Sequence, residues 1–228
     1  LSLMRDVKKI AEAFFASYAR LDVLVNNAGL MVEKRILTAE GLEMTFAVNH
    51  MSYFYLTHLL LNTLKASGTP SQKSRVVNVS SGIHQIGKFG LDAIQLEHGY
   101  NSFKAYRQSK MMNIWFTNEL ARRLASENAN VTTNSLHPGT VRTNFGAGVK
   151  DMNGIVLSLI KPFFTTPEKG AQTQIYLASS PEVEGVSGGY FAKSKPARTN
   201  KHADNTTYWS QLWAYSEAII QKLGLEAE

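Results

Sequence analysis

Tyr106 and Lys110, four positions apart in the run Tyr-Arg-Gln-Ser-Lys, are the residues whose types and spacing could do acid–base chemistry. On a helix, residues i and i+4 share a face, with their Cβ atoms about 5–6 Å apart. A nearby ammonium group favours a phenolate and lowers the pKa of a tyrosine from about 10 toward the working range. Tyr106 is therefore a candidate proton donor, although such a pair on its own is more often a coincidence of helix spacing.

Two further polar side chains could complete such a site. Ser81 lies at the end of a β-branched run, where its hydroxyl and a neighbouring tyrosine could hold a carbonyl oxygen between two donors. Ordinary turn chemistry explains the same serine equally well. Asn49 lies in a long apolar stretch with helical character, and a buried amide there needs a partner. That partner could be backbone, or a water that links Lys110 to solvent.

The elements that must position these residues alternate between helices and strands. Apolar spacing and stop signals predict helices over Asp6–Tyr18, Gly41–Ala66, Phe103–Ser126 and Thr166–Ser179. Short apolar runs predict strands over Leu21–Val25, Arg75–Gly82 with its turn, Val131–Leu136 and Gly188–Ala192. Ser102 is the predicted cap of the third helix, Thr166 caps the fourth, and Gly68 is the predicted glycine stop of the second.

This alternation predicts an α/β fold, a three-layer Rossmann-type parallel sheet covered by helices on both faces. We expect residues 1–228 to form one domain, since no internal repeat or low-complexity segment divides them. Such sheets place ligands at the carboxyl ends of their strands. Asn26, Ser81 and the Pro138-Gly139 pair should therefore lie along one rim.

The composition is that of a globular chain with a basic balance. Hydrophobic residues make up 44% and charged residues 18%, which excludes a disordered protein. A net charge of +6 suggests nucleic acid, a membrane surface or a phosphate-bearing cofactor as a partner. The basic residues are scattered, so we expect no nucleic-acid partner. The chain has no cysteine, which excludes disulfides and thiolate metal sites and fits an intracellular protein; we predict no metal site.

The polar residues and motifs together resemble the short-chain dehydrogenase/reductase family. The matching segments are Asn26-Asn27-Ala28-Gly29, Asn49, Ser81, Tyr106-x-x-Ser109-Lys110 and Pro138-Gly139-Thr140-Val141-Arg142-Thr143, in this order on alternating elements. The runs Phe116–Leu124 and Tyr176–Gly188 resemble its retinol-dehydrogenase-like branch. The resemblance covers nearly the whole chain.

The resemblance implies roles for individual residues. Tyr106 would donate or accept the proton, Lys110 would lower its pKa and hold the nicotinamide ribose, Ser81 would polarise the carbonyl, and Asn49 would order a relay water. The residues implied in cofactor binding are Asn26, Ala28, Gly29, Tyr106, Lys110, Pro138, Gly139, Val141 and Thr143. Ser52 stands where the family usually has glycine, three residues after Asn49, and we expect little effect from this small side chain.

One motif of the family is not in this sequence. Its glycine-rich turn, T-G-x-x-x-G-x-G, brings backbone to the cofactor pyrophosphate. Neither Gly146-Ala147-Gly148 nor Gly185–Gly189 has the strand and spacing to replace it. The resemblance places Leu1 just after the family's third strand, so we expect the natural protein to be longer. The strand segment Val23-Leu24-Val25 should then form a bare apolar edge of the sheet.

The resemblance implies an oxidoreductase that transfers a hydride between NADP(H), more than NAD(H), and a small lipophilic alcohol or carbonyl compound of retinoid or steroid type. Ile83–Ser102 and Asn144–Thr165 would shape the pocket. We expect an intracellular protein, cytoplasmic or attached to an organelle membrane by a preceding segment, and possible homo-oligomers; membrane association stays open. The alternative is a truncated, non-catalytic interaction module. An epimerase or dehydratase shares the Tyr-Lys pair, but the N-N-A-G turn argues against it.

Overall fold

The computed structural model of the protein describes residues 1–139 and 166–226. Its helices are α1 (Met4–Ser17), α2 (Met44–Phe46), α3 (Ser52–Ser67), α4 (Ser102–Ser126), α5 (Pro167–Ser179) and α6 (Thr206–Lys222). Its strands are β1 (Val23–Asn26), β2 (Ser74–Val79), β3 (Val131–His137), β4 (Tyr190–Ala192) and β5 (Lys195–Pro196). A π-helical segment, Ala47–Met51, joins α2 to α3, and short 3-10 turns cover Gly82–Gln85, Pro181–Val183 and Lys201–Asp204.

The five strands form one sheet in the order β1-β2-β3-β4-β5. The first four strands run parallel, and β5 returns antiparallel to β4 through a tight turn in which Lys193 and Ser194 both have positive φ. The register places Asn26 beside Asn78 and Val79 beside Leu136, so the carboxyl ends of β1, β2 and β3 meet at one rim. The predicted α/β fold with a mostly parallel sheet is confirmed.

Helices cover both faces of the sheet because successive strand residues point to opposite sides. Val76 belongs to the large core that contains residues of α1, α3, α4 and α6. Val77 and Val79 face the other way and pack with Leu177 of α5 and Phe191. The two apolar clusters make the three layers that the alternating pattern predicts.

One edge of the described sheet is β1, whose single partner there is β2; the other edge is the two-residue strand β5. Val25 is 40% exposed on this strand, so the expected apolar edge is present. An unpaired edge of this kind can accept a further strand.

The predicted caps and boundaries were partly wrong. Asn101, not Ser102, caps α4: its side chain accepts a hydrogen bond from the backbone N–H of Lys104 at 2.9 Å. Thr166 caps α5 as predicted, by accepting from Lys169 N. Gly68 ends α3 in an extended conformation, and glycine is needed there because a Cβ would lie 1.9 Å from Asn130 O.

The long helix predicted over Gly41–Ala66 is three pieces in the structure. It begins at Met44, where the Glu43 carboxylate accepts hydrogen bonds from the first backbone N–H groups. The π-helical segment then interrupts it before Ser52, whose hydroxyl donates to Val48 O at 2.7 Å. Helix α6 and the short strand β5 were not predicted from the sequence.

Candidate active site

The end of β2 forms the floor of the candidate site. Ser80 donates its backbone N–H to Leu136 O and its hydroxyl to Lys110 O, at 2.8 and 2.7 Å. These two bonds tie the strand end to β3 and to α4. Ser81 then continues in an extended conformation and caps the 3-10 turn Gly82–Gln85, so its position depends on both neighbouring elements.

Lys110 is buried beneath this strand end with 3% of its surface exposed. Its ammonium donates to Val79 O at 2.9 Å and lies 5.7 Å from the ring centroids of both Tyr106 and Tyr53. Burial disfavours the charged form and lowers the pKa of Lys110 to about 7. Lys110 can therefore change its protonation state near neutral pH, which an exposed lysine does not do.

Tyr106 lies one helical turn before Lys110 and is half-buried. Its hydroxyl hydrogen-bonds the side chain of Ser81, which lowers the pKa of Tyr106, but burial has the larger effect and raises that pKa to about 12. This is opposite to the shift that the sequence predicted from Lys110. The reason is that the buried ring loses more solvation of its phenolate than its polar neighbours restore. Tyr106 is thus a protonated donor at neutral pH.

Asn49 lies in the π-helical segment and is completely buried. Its Oδ1 accepts from Leu30 N at 2.8 Å, and its Nδ2 donates to Leu30 O at 2.9 Å and to Ser109 Oγ at 3.0 Å. Ser109 in turn donates to Tyr106 O at 2.8 Å. The side chain thus has backbone partners, one of the two alternatives for Asn49, and it fixes the loop that follows the N-N-A-G turn against α4. Its role in ordering a relay water stays a prediction.

Two members of the N-N-A-G turn have different surroundings. Asn26 is buried, and its Nδ2 donates to Thr57 Oγ1 and Asn78 Oδ1 at 3.0 and 2.8 Å, so this amide is engaged inside the sheet. A Cβ on Gly29 would lie 3.3 Å from Lys110 Nζ and 3.4 Å from Asn49 Oδ1. Glycine therefore keeps open the space between the lysine and the asparagine. Ala28 lies next to Gly29 in the same turn.

Pro138 and Gly139 follow β3 at the same rim, and Gly139 has a φ of +89°, a left-handed conformation that favours glycine. Val141 and Thr143, which the sequence also places in cofactor binding, lie outside the described residues. The candidate site in the described part of the chain consequently consists of the ends of β1, β2 and β3 with one face of α4.

The donor set fits the nicotinamide–ribose end of a dinucleotide. Lys110 offers a buried cationic donor, Tyr106 a phenol, and Gly29 a backbone without a side chain beside the lysine. These are the groups that could hold ribose hydroxyls and a reacting carbonyl oxygen together. The engaged amide of Asn26 supports the sheet in the structure, and its role in cofactor binding stays a prediction.

Sequence reasoning missed several residues that shape this site. In the sequence Ser80 is indistinguishable from a turn residue. The Ser-Ser pair at the end of a predicted strand was the one available sign that it belongs to the site. Two histidines, His84 and His137, lie next to Ser81: His84 Nδ1 is 2.6 Å from Ser81 O, and the ring of His137 is 3.3 Å from the Cβ position of Gly82. Because the two histidines are isolated in the sequence and form no motif, their position beside the site could be seen only in the structure.

Comparison with known proteins identifies the class to which this fold and site belong. The family model described as short chain dehydrogenase matches residues 1–154. The chain therefore belongs to the short-chain dehydrogenase family, whose members are NAD(P)-dependent oxidoreductases.

Within this family, the chain is similar to two curated human dehydrogenases. The chain is 44% identical over 228 residues to retinol dehydrogenase 14 of Homo sapiens, covering 96% of this chain and 65% of that protein. It is 37% identical over 217 residues to polyprenol dehydrogenase of Homo sapiens, covering 95% of this chain and 66% of the relative. The chain thus spans about two thirds of the length of these curated relatives.

Solved structures share the fold. An uncharacterised protein from Mycobacterium paratuberculosis superposes with a TM-score of 0.72 at 26% identity, over 96% of this chain and 73% of that one. The NADPH-bound carbonyl reductase from chicken fatty liver superposes with a TM-score of 0.57 at 20% identity, over 86% of this chain and 71% of the other. At that lower identity the likeness concerns the fold alone.

Proposed function

We propose that the protein interconverts a lipophilic alcohol and its aldehyde or ketone with NADP(H) as the hydride donor or acceptor. The observation that carries this proposal is the arrangement of three groups: the Ser81 side chain hydrogen-bonded to Tyr106, and the buried ammonium of Lys110 one turn away. Two hydroxyl donors and a cation at the carboxyl ends of parallel strands form a site for a reacting carbonyl oxygen.

In the direction of reduction, Ser81 and Tyr106 hold the carbonyl oxygen between their hydroxyl groups. A dinucleotide held at this rim would supply the hydride for the carbonyl carbon. As the electron pair of the carbonyl double bond moves onto oxygen, Tyr106 transfers its proton to that oxygen. Because the pKa of Tyr106 is raised to about 12, it holds this proton until the oxygen becomes strongly basic.

Lys110 stabilises the phenolate that Tyr106 becomes. Its ammonium lies 5.7 Å from the ring, in surroundings where water does not screen the charge. A lysine with a pKa of about 7 can also give up a proton near neutral pH, which would restore the phenol for the next turnover. The Asn49–Ser109 contact keeps this part of α4 against the loop after Gly29.

The substrate class is inferred from the relatives. Retinol dehydrogenase 14 and polyprenol dehydrogenase are named for long apolar alcohols, and both align along nearly all of this chain. The net charge of +6 is compatible with a cofactor that carries an additional phosphate, which favours NADP(H) over NAD(H).

Two measurements on this chain test the proposal. NADPH is titrated while its fluorescence is followed, and its oxidation is then measured with retinaldehyde as a lipophilic carbonyl substrate. The expected result is saturable binding and aldehyde-dependent oxidation of NADPH. A folded, monodisperse protein that neither binds nor oxidises NADPH would refute the proposal.

One observation favours a second function, that of a non-catalytic interaction module. β1 is an edge strand in the described sheet, and Val25 on it is 40% exposed, so the backbone there can pair with another polypeptide. The family's glycine-rich turn is also not in this sequence. A chain that forms a stable complex through β1 and leaves NADPH free in the titration would support this second function.

A further inference from the structure

A histidine supports Ser81 through its backbone oxygen. His84 has no exposed surface, and its Nδ1 lies 2.6 Å from the backbone oxygen of Ser81. A carbonyl oxygen can only accept, so Nδ1 must carry the proton. This contact fixes one tautomer of the imidazole, with Nδ1 protonated and Nε2 bare.

The contact acts on the backbone of Ser81, whose hydroxyl would hold the substrate carbonyl oxygen. The Ser81 backbone oxygen also accepts from His84 N at 3.3 Å, and the Ser81 hydroxyl accepts from Ile83 N at 3.4 Å. Both bonds are long, whereas the imidazole bond is short. The turn that sets the direction of the Ser81 side chain is thus held mainly by the His84 ring.

The imidazole is itself held in place by the sheet. The ring of Tyr190 on β4 packs edge-on against His84 with 4.7 Å between the ring centroids. His137 at the end of β3 packs against Gly82, where an added Cβ would lie 3.3 Å from its ring atoms. Tyr190 of β4 thus confines the His84 ring, and His137 of β3 confines the turn that carries it, so both strands help to fix Ser81.

Burial favours a neutral ring. It lowers the pKa of His84 by more than the hydrogen bond to the Ser81 backbone raises it. Burial, His84 and Lys193 all lower the pKa of His137. A neutral imidazole has one N–H to give, and in His84 that N–H goes to Ser81.

We propose that His84 is a positioning residue: by donating from Nδ1 to the Ser81 carbonyl, it holds the Ser81 hydroxyl in hydrogen-bonding distance of Tyr106. His84 acts through Ser81, and the proposal rests on the function proposed above. A displaced Ser81 hydroxyl would lower the rate of reaction, because a misplacement of about 1 Å is enough to disturb the alignment of reacting groups. The side chain required at this position is therefore one with a donor at the place of Nδ1.

Three substitutions of His84 separate this role from simple packing. In His84→Asn the amide nitrogen can occupy the place of Nδ1, whereas in His84→Gln it reaches the place of Nε2. His84→Phe keeps a ring and has no donor. His98→Phe, at an exposed histidine, is the matched control.

The kinetic readout is the NADPH-dependent reduction of retinaldehyde. We expect His84→Phe and His84→Gln to lower kcat by about 10- to 100-fold with the KM for NADPH unchanged, because the cofactor groups are intact. We expect His84→Asn to recover kcat to within about threefold of the parent chain. Equal kcat in the Asn and Gln variants, or full activity in the Phe variant, would overturn the proposal.

A spectroscopic readout decides the question without activity. The ¹³Cζ signal of Tyr106, assigned with Tyr106→Phe, reports its hydrogen bond to Ser81. We expect this signal to move in His84→Gln and to return to the parent position in His84→Asn. An unchanged signal in His84→Gln would refute the positioning role, even for a chain in which the proposed oxidoreductase activity itself had failed. If His84→Phe does not fold, the Asn and Gln pair gives the same test.

Discussion

Two groups of buried polar side chains lie on the same sheet and differ in chemistry. The amide network consists of Asn26, Thr57, Asn78, Thr117 and Thr133, joined by hydrogen bonds across β1, β2 and β3 to α3 and α4. The rim cluster consists of Asn49, Ser81, Tyr106 and Lys110 at the strand ends. The amide network is buried throughout, whereas in the rim cluster Asn49 and Lys110 are buried and Ser81 and Tyr106 are half-buried. Only the rim cluster contains groups that can gain or lose a proton.

Burial has different consequences in the two groups: it strengthens hydrogen bonds in the amide network and shifts pKa values in the rim cluster. In the amide network both amide nitrogens find oxygen partners, so burial costs little and the bonds specify how the strands meet. In the rim cluster burial lowers the pKa of Lys110 to about 7 and raises that of Tyr106 to about 12. The shift of Lys110 costs folding free energy near neutral pH, whereas Tyr106 is protonated in both the folded and the unfolded state there and its shift costs none. Perturbed pKa values that cluster at one place are typical of functional sites.

The largest effect is expected from Tyr106→Phe, which removes the proposed proton donor. We expect kcat for carbonyl reduction to fall by about 10²–10⁴-fold, the usual contribution of a positioned acid. Binding of NADPH should stay nearly intact, as measured by fluorescence titration. Tyr176→Phe is the matched control because its hydroxyl bonds Glu182 far from the rim, and full turnover in Tyr106→Phe would contradict the assigned role.

Lys110→Met should abolish activity and at the same time stabilise the fold. In the folded state the pKa of Lys110 is about 7, below the ordinary lysine value of 10.5. Burial of the ammonium therefore costs most below pH 7, and this cost disappears as pH rises toward 10.5. We expect the variant to gain about 2–4 kcal/mol in unfolding free energy at pH 6 and little near pH 10. Val79 O keeps a donor, from Asn113.

Chemical denaturation of the parent chain and Lys110→Met at several pH values measures this difference. The exposed Lys9→Met is the control, since Lys9 carries no comparable burial. A variant that is less stable than the parent chain at pH 6 would show that the ammonium is paired well enough to support the fold.

Asn78→Leu tests the amide network. The substitution removes the hydrogen bond that Asn26 Nδ2 donates to Asn78 Oδ1 and the one that Asn78 Nδ2 donates to Thr133 Oγ1. We expect a loss of about 2 kcal/mol in the free energy of unfolding, measured by urea denaturation, with kcat reduced less than about threefold. Asn118→Leu, whose amide is partly exposed, should cost less than about 1 kcal/mol. If Asn78→Leu lost much of its kcat and kept its full stability, the amide network would not be distinct in function from the rim cluster.

Thr57→Val is expected to have the smallest effect. It removes one oxygen acceptor from Asn26 Nδ2, which keeps its bond to Asn78 at 2.8 Å. Valine has nearly the same shape as threonine, so we expect a loss of about 1 kcal/mol or less, seen as a small shift of the urea midpoint. A loss as large as that of Asn78→Leu would mean that the network fails as one unit.

Local rules predicted much of the fold. Helix spacing put Tyr106 and Lys110 on one face of α4, and the threonine–proline start of α5 was read correctly. The π-helical segment around Asn49 was not predictable, since Asn49 gains its partners, Leu30 and Ser109, only when the chain folds. Asn101 and Ser102 are both good caps, and only the backbone geometry selects between them.

The electrostatics of the site were the least predictable part. The spacing of Tyr106 and Lys110 suggests that the lysine lowers the pKa of the tyrosine. In the structure both groups are removed from solvent, and desolvation favours the neutral form of each: it raises the pKa of Tyr106 and lowers the pKa of Lys110. Burial depends on long-range packing, including Tyr53 from α3 beside Lys110, which no local pattern contains.

One paired measurement tests the central claim most directly: the kcat for NADPH-dependent carbonyl reduction and the unfolding free energy, both determined for Tyr106→Phe and Asn78→Leu. We predict a crossed result. Tyr106→Phe should lose about 10²-fold or more in kcat with less than about 1 kcal/mol of stability, while Asn78→Leu should lose about 2 kcal/mol and keep its kcat. Two variants that lose activity and stability in the same proportion would contradict the separation of a catalytic rim from a structural network.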